Sequence, residues 1–384
     1  MCPSPSLMPD QTWTAHARPR LRIAVLMGGA NTERNVSLSS GLAVVRALRG
    51  LGHAVAQGDS AAPPVVPGQP PQEAFLTAEV PLEDLAATPM APTASAPPDL
   101  GSLARVRATQ QNGVLAHELL PILACADVVF LTVFGDEGES GATQRLLDEH
   151  GLTYTGPSAD VCELTFDKAA TKAALAAHGI LAPEGHVVRI GHEAADLASL
   201  TIPAPWIVKP VAGGSTIGLT RVEHVDDLPA AVALASAAGQ HALVEEFVPG
   251  RDFTVGVLGD RVFSVVEALT DRDLYDYEAK YTPGESRKQV PADLSPEQTN
   301  LLRGLAGRVH EVLGIGDTSS RSDFRLGPDG RFRFFEVNPL PGITPTRSYP
   351  LSTAADGLEF PLLCEELAVR ALAAASRTAA GREA

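Results

Sequence analysis

The residues with the clearest chemical content lie toward the carboxyl end: Arg321-Ser322-Asp323 and, thirteen positions after that aspartate, Glu336-Val337-Asn338. They flank Gly327-Pro328-Asp329-Gly330, a strong turn signal, so 323–326 and 331–337 read as an antiparallel hairpin. Side chains alternate along a strand, which puts Glu336 and Asn338 on one face. A two-residue Pro328-Asp329 loop would set Arg321 opposite Glu336, with Asp323 diagonal to it. Two carboxylates, an amide oxygen and a guanidinium then converge. Hard oxygen ligands that leave coordination positions open suit Mg²⁺ shared with substrate phosphates. The bland alternative is a solvated hairpin with scattered charges. The Asn338-Pro339-Leu340-Pro341-Gly342 loop directly after the ligands favours the metal reading.

A second group suits a triphosphate. Ile207-Val208-Lys209-Pro210 runs into a loop containing Gly213-Gly214-Ser215 and Gly218. Backbone N–H groups approach a phosphate closely where Cβ atoms are missing, and a strand-borne Lys neutralises its charge. This is not the P-loop order, in which Lys follows the glycines, and alone it equals an ordinary hairpin turn. Lys168 offers another phosphate cation, and Glu245-Glu246-Phe247-Val248 ends a strand where a carboxylate and backbone groups could read adenine. A polar stretch beginning at Tyr277-Glu278-Ala279-Lys280-Tyr281 could close over such a site and exclude water; otherwise it is a surface loop.

The elements that must hold these groups fall into an open α/β layer followed by strand-rich segments. Residues 21–27 form a buried-type strand running into Gly28-Gly29, and a helix follows with Leu38, Leu42, Val45 and Leu48 as its apolar stripe, stopping at Gly50 or Gly52. A second strand over 128–133 ends in Phe134-Gly135, and loops gather at the carboxyl ends of both strands. The Ala- and Pro-rich stretch 61–98 reads as a disordered insertion. A helix is expected over 167–178, with strands over 206–210, 242–245 and 253–258. Ser295-Pro296-Glu297-Gln298 is a capping box opening a helix with Leu301, Leu302, Leu305, Val309, Val312 and Leu313 on its apolar side, ended by Gly314. The expected units are a flexible tail 1–20, an amino-terminal α/β domain 21–157, and two further units, 158–250 and 251–376.

At 384 residues the chain exceeds one ordinary core. With 30 basic against 46 acidic side chains the net charge is −16, which argues against nucleic acid and anionic membranes as partners. A protein this acidic must supply cations locally to handle a nucleotide. Cys2, Cys125, Cys162 and Cys364 are scattered, suggesting neither disulfides nor zinc and fitting a reducing cytoplasm. No apolar run reaches membrane-spanning length, and residues 1–20, with Pro3, Pro5, Pro9 and Pro19, read as a tail and not as a signal peptide.

In this order the motifs resemble those of the D-alanine–D-alanine ligases of the ATP-grasp superfamily. The matching runs are Met27-Gly28-Gly29, Glu33-Arg34, Val36-Ser37-Leu38, Gly138-Glu139 with Gly141, Tyr154-Thr155-Gly156, Asp167-Lys168, Val208-Lys209-Pro210 with Gly214-Ser215, the 275–281 run, Arg321 with Asp323, and Glu336-Val337-Asn338 with Pro341-Gly342. Glu33, Ser215 and Tyr275-Asp276-Tyr277-Glu278-Ala279-Lys280-Tyr281 are the most specific of them. The resemblance implies an ATP-grasp fold behind an amino-terminal open parallel α/β domain, and ligation of two D-alanines through an acyl phosphate for peptidoglycan precursors. It implies ATP held by Lys168, Lys209, Gly214, Glu245, Glu246, Val248, Asp252 and Lys280, though the family usually has Glu where Asp252 stands. Asp323, Glu336 and Asn338 would hold two Mg²⁺ (or Mn²⁺). Glu33 would take the ammonium of the first D-alanine, in a hydrogen-bonded trio with Ser215 and Tyr281, while Arg321 and the Gly342 N–H would stabilise the oxyanion. A homodimer through the amino-terminal domain is also implied.

The chain departs from the family pattern at Phe134, where a His is usual, at Ser140, at Asn35 and at Arg347, where a Ser usually helps hold the second substrate's carboxylate. Arg347 and Phe134 are therefore the candidate acceptor-subsite residues. The rival readings are an ATP-grasp ligase with another acceptor and a nucleotide-binding paralogue without ligase activity. A dinucleotide-dependent dehydrogenase is a poor third, because Gly28-Gly29 lacks the GxGxxG spacing.

Overall fold

Ile23 through Met27 are all buried, as a strand covered on both faces requires. This strand, β1 (Arg22–Met27), is the centre of a parallel sheet of order β2-β1-β3, with β2 at Ala54–Asp59 and β3 at Val128–Leu131. The computed structural model describes residues 19–61, 70–75, 114–214, 218–237, 240–270 and 286–383. Ser215, Lys280, Tyr281, the tail up to residue 18 and most of the 61–98 stretch lie outside the described residues. Within that stretch, Pro71–Ala74 forms a 3₁₀ turn.

The helix Arg34–Gly50 packs on this sheet by a face that includes Val45 and Leu48 of the expected stripe but is centred on smaller residues. Val36, Val44 and Leu48 are buried with Ser37, Ser40 and Gly41, while Leu38 and Leu42 are half-buried. A Cβ on Gly41 would lie 2.6 Å from the Met27 Cβ. Small residues let the helix axis approach the strand, so contact here follows size more than greasiness. The short strand β2, which contains Gln57 and Gly58, carried no clear periodic signal in the sequence.

The second sheet is antiparallel, of order β4-β7-β5-β6, with β4 at Gly185–Val188, β5 at Trp206–Pro210, β6 at Thr220–Val222 and β7 at Ala242–Glu246. The third has order β10-β9-β8-β11-β12. Its strands are β8 (Arg251–Leu258), β9 (Arg261–Thr270), β10 (Ser286–Gln289), β11 (Ser319–Leu326) and β12 (Phe332–Asn338). The helix Pro296–Val312 covers one face of this sheet, burying Leu302, Ala306 and Val309 against Phe253, Val255, Phe324 and Phe334. Its capping box is formed: Gln298 N donates to Ser295 Oγ at 3.2 Å, and Ser295 N to Gln298 Oε1 at 3.1 Å. Leu301 is 55% exposed and does not belong to the apolar side. The expected helix over 167–178 is Lys168–Ala176, capped by Asp167, whose Oδ1 accepts from Ala170 N.

The β11–β12 hairpin exists, but with another turn and register. Leu326 pairs with Phe332, so residues 327–331 form the loop, closed by Gly327 N donating to Arg331 O at 3.0 Å. Asp323 lies directly opposite Glu336, and Arg321 opposite Asn338. The register shifts between Asp323 and Phe324, leaving Phe335 as an extra residue. Because Phe332, Phe334 and Val337 all sit in the same core, this bulge places Phe335 and Glu336 together on the opposite face. The two-residue loop expected from Pro328-Asp329 fails because Gly330 supplies the left-handed turn position, with φ +74°.

One core joins the first and third sheets. Val44, Val45 and Leu48 of the first helix share it with Leu258, Phe263 and Tyr349, and with Leu363, Cys364 and Leu367 of the last helix, Phe360–Glu383. The loop carrying Glu33 is thereby held against the sheet that carries the hairpin.

Candidate active site

The cleft is lined by Glu139, Thr165, Phe166, Lys168, Gly213, Gly214 and the end of β12 from Glu336 to Pro339. On the hairpin, the Arg321 guanidinium donates to both Asp323 oxygens, at 3.2 and 2.9 Å, and lies 3.8 Å from Glu336. Burial alone would lower the Arg321 pKa; Asp323 and Glu336 outweigh it and raise it. Thr254 Oγ1 fixes Asp323 from β8 at 2.8 Å.

Two facing carboxylates and the Asn338 amide form a hard-oxygen donor set that fits Mg²⁺. Among the described residues no group of three His, Cys, Asp or Glu side chains could hold a metal ion. This donor set has two carboxylates, so a Mg²⁺ held here would need further oxygen ligands from outside the protein, such as phosphate and water.

The candidate phosphate cations come from two elements. Lys168 Nζ, at the start of its helix, donates to the Gly213 carbonyl. Lys209 Nζ, from β5, pairs with Glu245 of β7 at 2.7 Å. Lys172, one turn after Lys168, pairs with the other Glu245 oxygen. Its spacing to Lys168 was legible in the sequence, but the residue was missed. Burial pushes the Lys172 ammonium down to about 7, against the pull of Glu245. For Glu245, 1% exposed, burial alone would raise the pKa, but Lys172 and Lys209 hold it below the usual carboxylate value. The Phe335 ring, delivered by the bulge, lies 5.7 Å from both ammonium groups and 5.3 Å from the Arg325 guanidinium.

Two other expected nucleotide residues, Glu246 and Asp252, also have partners within the protein. The Glu246 carboxylate accepts from Glu184 N at 3.2 Å and lies 3.8 Å from Arg333, as the alternation from Glu245 requires. Asp252 is gripped by Arg325 through two hydrogen bonds of 2.7 Å, and Arg325 also donates to the buried Val248 carbonyl at 2.9 Å. Arg325, absent from the sequence reading, thus ties Asp252 of β8 to the segment after β7.

Glu33 precedes the first helix and is set by Asn31. The Glu33 N–H donates to Asn31 Oδ1 at 2.9 Å, and Asn31 Nδ2 donates to Phe134 O at 2.8 Å and Glu137 Oε2 at 2.9 Å. Glu33 Oε2 lies 2.7 Å from where a Gly214 Cβ would stand, so the glycine loop after β5 admits this carboxylate because it has no side chain there. Glu139 accepts from Gly135 N at 2.8 Å. Burial, with Glu33 beside it, pushes Glu139 up to about 8.

The acceptor candidates separate. Phe134 is 4% exposed and packs in the core with Ile343 and Val36, so its ring does not face a subsite. Following a buried strand, the apolar ring turns inward and leaves its carbonyl to hold Asn31. Arg347 caps the helix Ser348–Ala355, and its Cδ lies 3.9 Å from where a Gly342 Cβ would be. Its stem therefore lies over Gly342. Ser140 merely ends the helical turn Asp136–Glu139.

Family comparison decides the affiliation. Residues 22–157 match the D-ala D-ala ligase N-terminus and residues 190–369 the D-ala D-ala ligase C-terminus. The chain belongs to the D-alanine–D-alanine ligase family. It is 36% identical to the D-alanine–D-alanine ligase of Gluconobacter oxydans, over 92% of this chain and 100% of that protein. It is 37% identical to the Cereibacter sphaeroides enzyme of the same name, over 89% and 93%. The VanG D-Ala:D-Ser ligase from Enterococcus faecalis superposes with a TM-score of 0.70 at 23% identity, covering 92% of this chain and 100% of that one. The ATP complex of the Bacillus anthracis D-alanine–D-alanine ligase gives 0.68 at 19%, covering 94% and 100%. The fold is therefore ATP-grasp, behind a parallel α/β layer, and family membership makes the protein a ligase.

Proposed function

We propose that this protein joins two D-alanines at the expense of ATP, with Mg²⁺, to supply a peptidoglycan precursor. The observation that carries this reading is the β11–β12 register, with Asp323 facing Glu336, and Arg321 and Asn338 on the same face. Asp323, Glu336 and Asn338 would hold the metal, which neutralises charge on the phosphoryl group. Lys168 and Lys209 spread the remaining phosphate charge. Glu33 holds the ammonium of the first D-alanine, with Ser215 and Tyr281 as its partners, and Lys280 joins the nucleotide set.

The first D-alanine carboxylate attacks the γ-phosphorus, ADP leaves, and an acyl phosphate forms. The second amine then attacks the acyl carbon, inorganic phosphate leaves, and the amine sheds its proton. Arg321 and the Gly342 N–H stabilise the tetrahedral oxyanion. The acyl phosphate hydrolyses readily, so water must be kept from the cleft.

The units 21–157, 158–250 and 251–376 act in this reading as amino-terminal, central and carboxy-terminal domains, in a cytoplasmic homodimer. Among the described residues no helix is long and apolar enough to cross a membrane. Phosphate release and product mass with ATP, Mg²⁺ and D-alanine alone test the reading. Matched phosphate and D-alanyl-D-alanine support it; the absence of dipeptide sinks it. Arg347 over Gly342 favours one second reading, ligation of D-alanine to another acceptor, which a panel of amino and hydroxy acids separates by product mass.

A further inference from the structure

None of the motifs discussed above includes Lys288, yet it reaches the turn that leads into Arg347, one of the candidate acceptor residues. It lies on the sheet-edge strand β10, opposite Ala268 of β9, and is half-buried. Its Nζ donates to the Thr346 carbonyl at 2.8 Å. The next residue is Arg347, whose N–H donates to Thr344 O at 2.9 Å and closes the turn. Two cations thus reach one turn from two separate elements, and the Arg347 stem extends over Gly342.

Burial and the positive charges of Arg347 and Arg321 together push the Lys288 ammonium down to about 8. Crowded like charge is costly, and an arriving anion relieves it. Asp323 is already engaged by Arg321 and Thr254 on the metal face. The reaction brings one more carboxylate to this end. In an α-amino acid the carboxylate is one carbon from the attacking nitrogen. When that nitrogen attacks a carbonyl whose oxygen lies between Arg321 and Gly342, the carboxylate falls beside the 344–347 turn.

We propose that Lys288 and Arg347 form a two-cation clamp for the carboxylate of the second substrate, making this site selective for acceptors that carry a free α-carboxylate. Lys288 is then a specificity residue at the acceptor site. This rests on the ligase reading above.

The test compares D-alanine with D-alaninamide as acceptor, the two products being distinguished by mass. Gln at position 288 can still donate to the Thr346 carbonyl but carries no charge. Lys288→Gln should raise the acceptor KM for D-alanine roughly tenfold, the loss of one charge-assisted hydrogen bond. The ATP KM and D-alaninamide use should stay unchanged, and Lys288→Arg should restore most of the D-alanine affinity. Equal losses for both acceptors would reduce Lys288 to a prop for the turn and overturn the clamp. An unchanged D-alanine KM would overturn it too. If the unsubstituted enzyme makes no dipeptide at all, the ligase reading falls and the clamp falls with it.

Discussion

Asp323 and Glu336 face each other across one ladder position, with a guanidinium beside both. Two anionic oxygens repelling one another at this range gain most from a divalent cation, so the loss of either should be felt in metal dependence first. Glu336→Gln should lower turnover roughly a hundredfold or more while thermal stability is kept. Near-normal activity at saturating Mg²⁺ would remove the hairpin from the metal site. Glu139 gives a pH prediction with a definite sign. In the unfolded chain it loses its proton near the ordinary 4.5, but in the fold it holds it to about 8. Its contribution to stability is full below 4.5 and declines as pH rises through the folded value. Thermal unfolding of the metal- and nucleotide-free protein should therefore follow a flatter pH profile in Glu139→Gln across that window. Parallel profiles would mean that the carboxyl is not held protonated.

At the scale of elements, the bulge at Phe335 matters most. Strict alternation from Phe334 would send Glu336 to the core side and Val337 to the cleft; one extra residue reverses both. The same residue delivers an aromatic ring to Lys172 and Lys209, the two cations paired with Glu245, and to Arg325. The loop after β5 shows how closely two elements meet, since Gly214 and Glu33 approach where any side chain would intrude. Gly214→Ala should displace the Glu33 carboxylate and cost roughly ten- to a hundredfold in kcat/KM for D-alanine. Melting should be unaltered, because the clash meets only the end of a flexible side chain. A loss of stability without a kinetic defect would show that Glu33 is not a substrate contact.

At the scale of the molecule, a chain of net charge −16 gathers Lys168, Lys172, Lys209, Arg321 and Arg325 around one cleft. The negative surface elsewhere does not compromise anion binding there, because Coulomb interactions with distant exposed charges are screened within about 8–10 Å at ordinary ionic strength. The two walls of the cleft are coupled by the core shared between the first helix and the last. Leu363, fully buried in that core, is its simplest probe. Leu363→Ala should cost about 2–5 kcal/mol. Amide exchange should then quicken in β1 and β8 together, whereas faster exchange confined to the last helix would mean that the first and third sheets unfold independently.

The sequence alone determined which chemistry was available. Ligand types are a property of residue identity, so Asp323, Glu336, Asn338, Lys168, Lys209 and Glu33 could be picked out from local signals and motif order. The capping box at Ser295 was legible for the same reason, since its partners lie within one helical turn. Register and packing were not. The position of Glu336 opposite Asp323 depends on where the bulge falls, and that is set by which phenylalanines the helix Pro296–Val312 buries. Phe134 looked like an acceptor residue because it stands where the resembling family usually has His, but its ring belongs to a core shared with the distant Ile343 and Val36. Arg325, Lys172 and Lys288 gain meaning from partners 73, 73 and 58 positions away. Contacts at such separations follow from three-dimensional packing, which decided how the available groups were arranged.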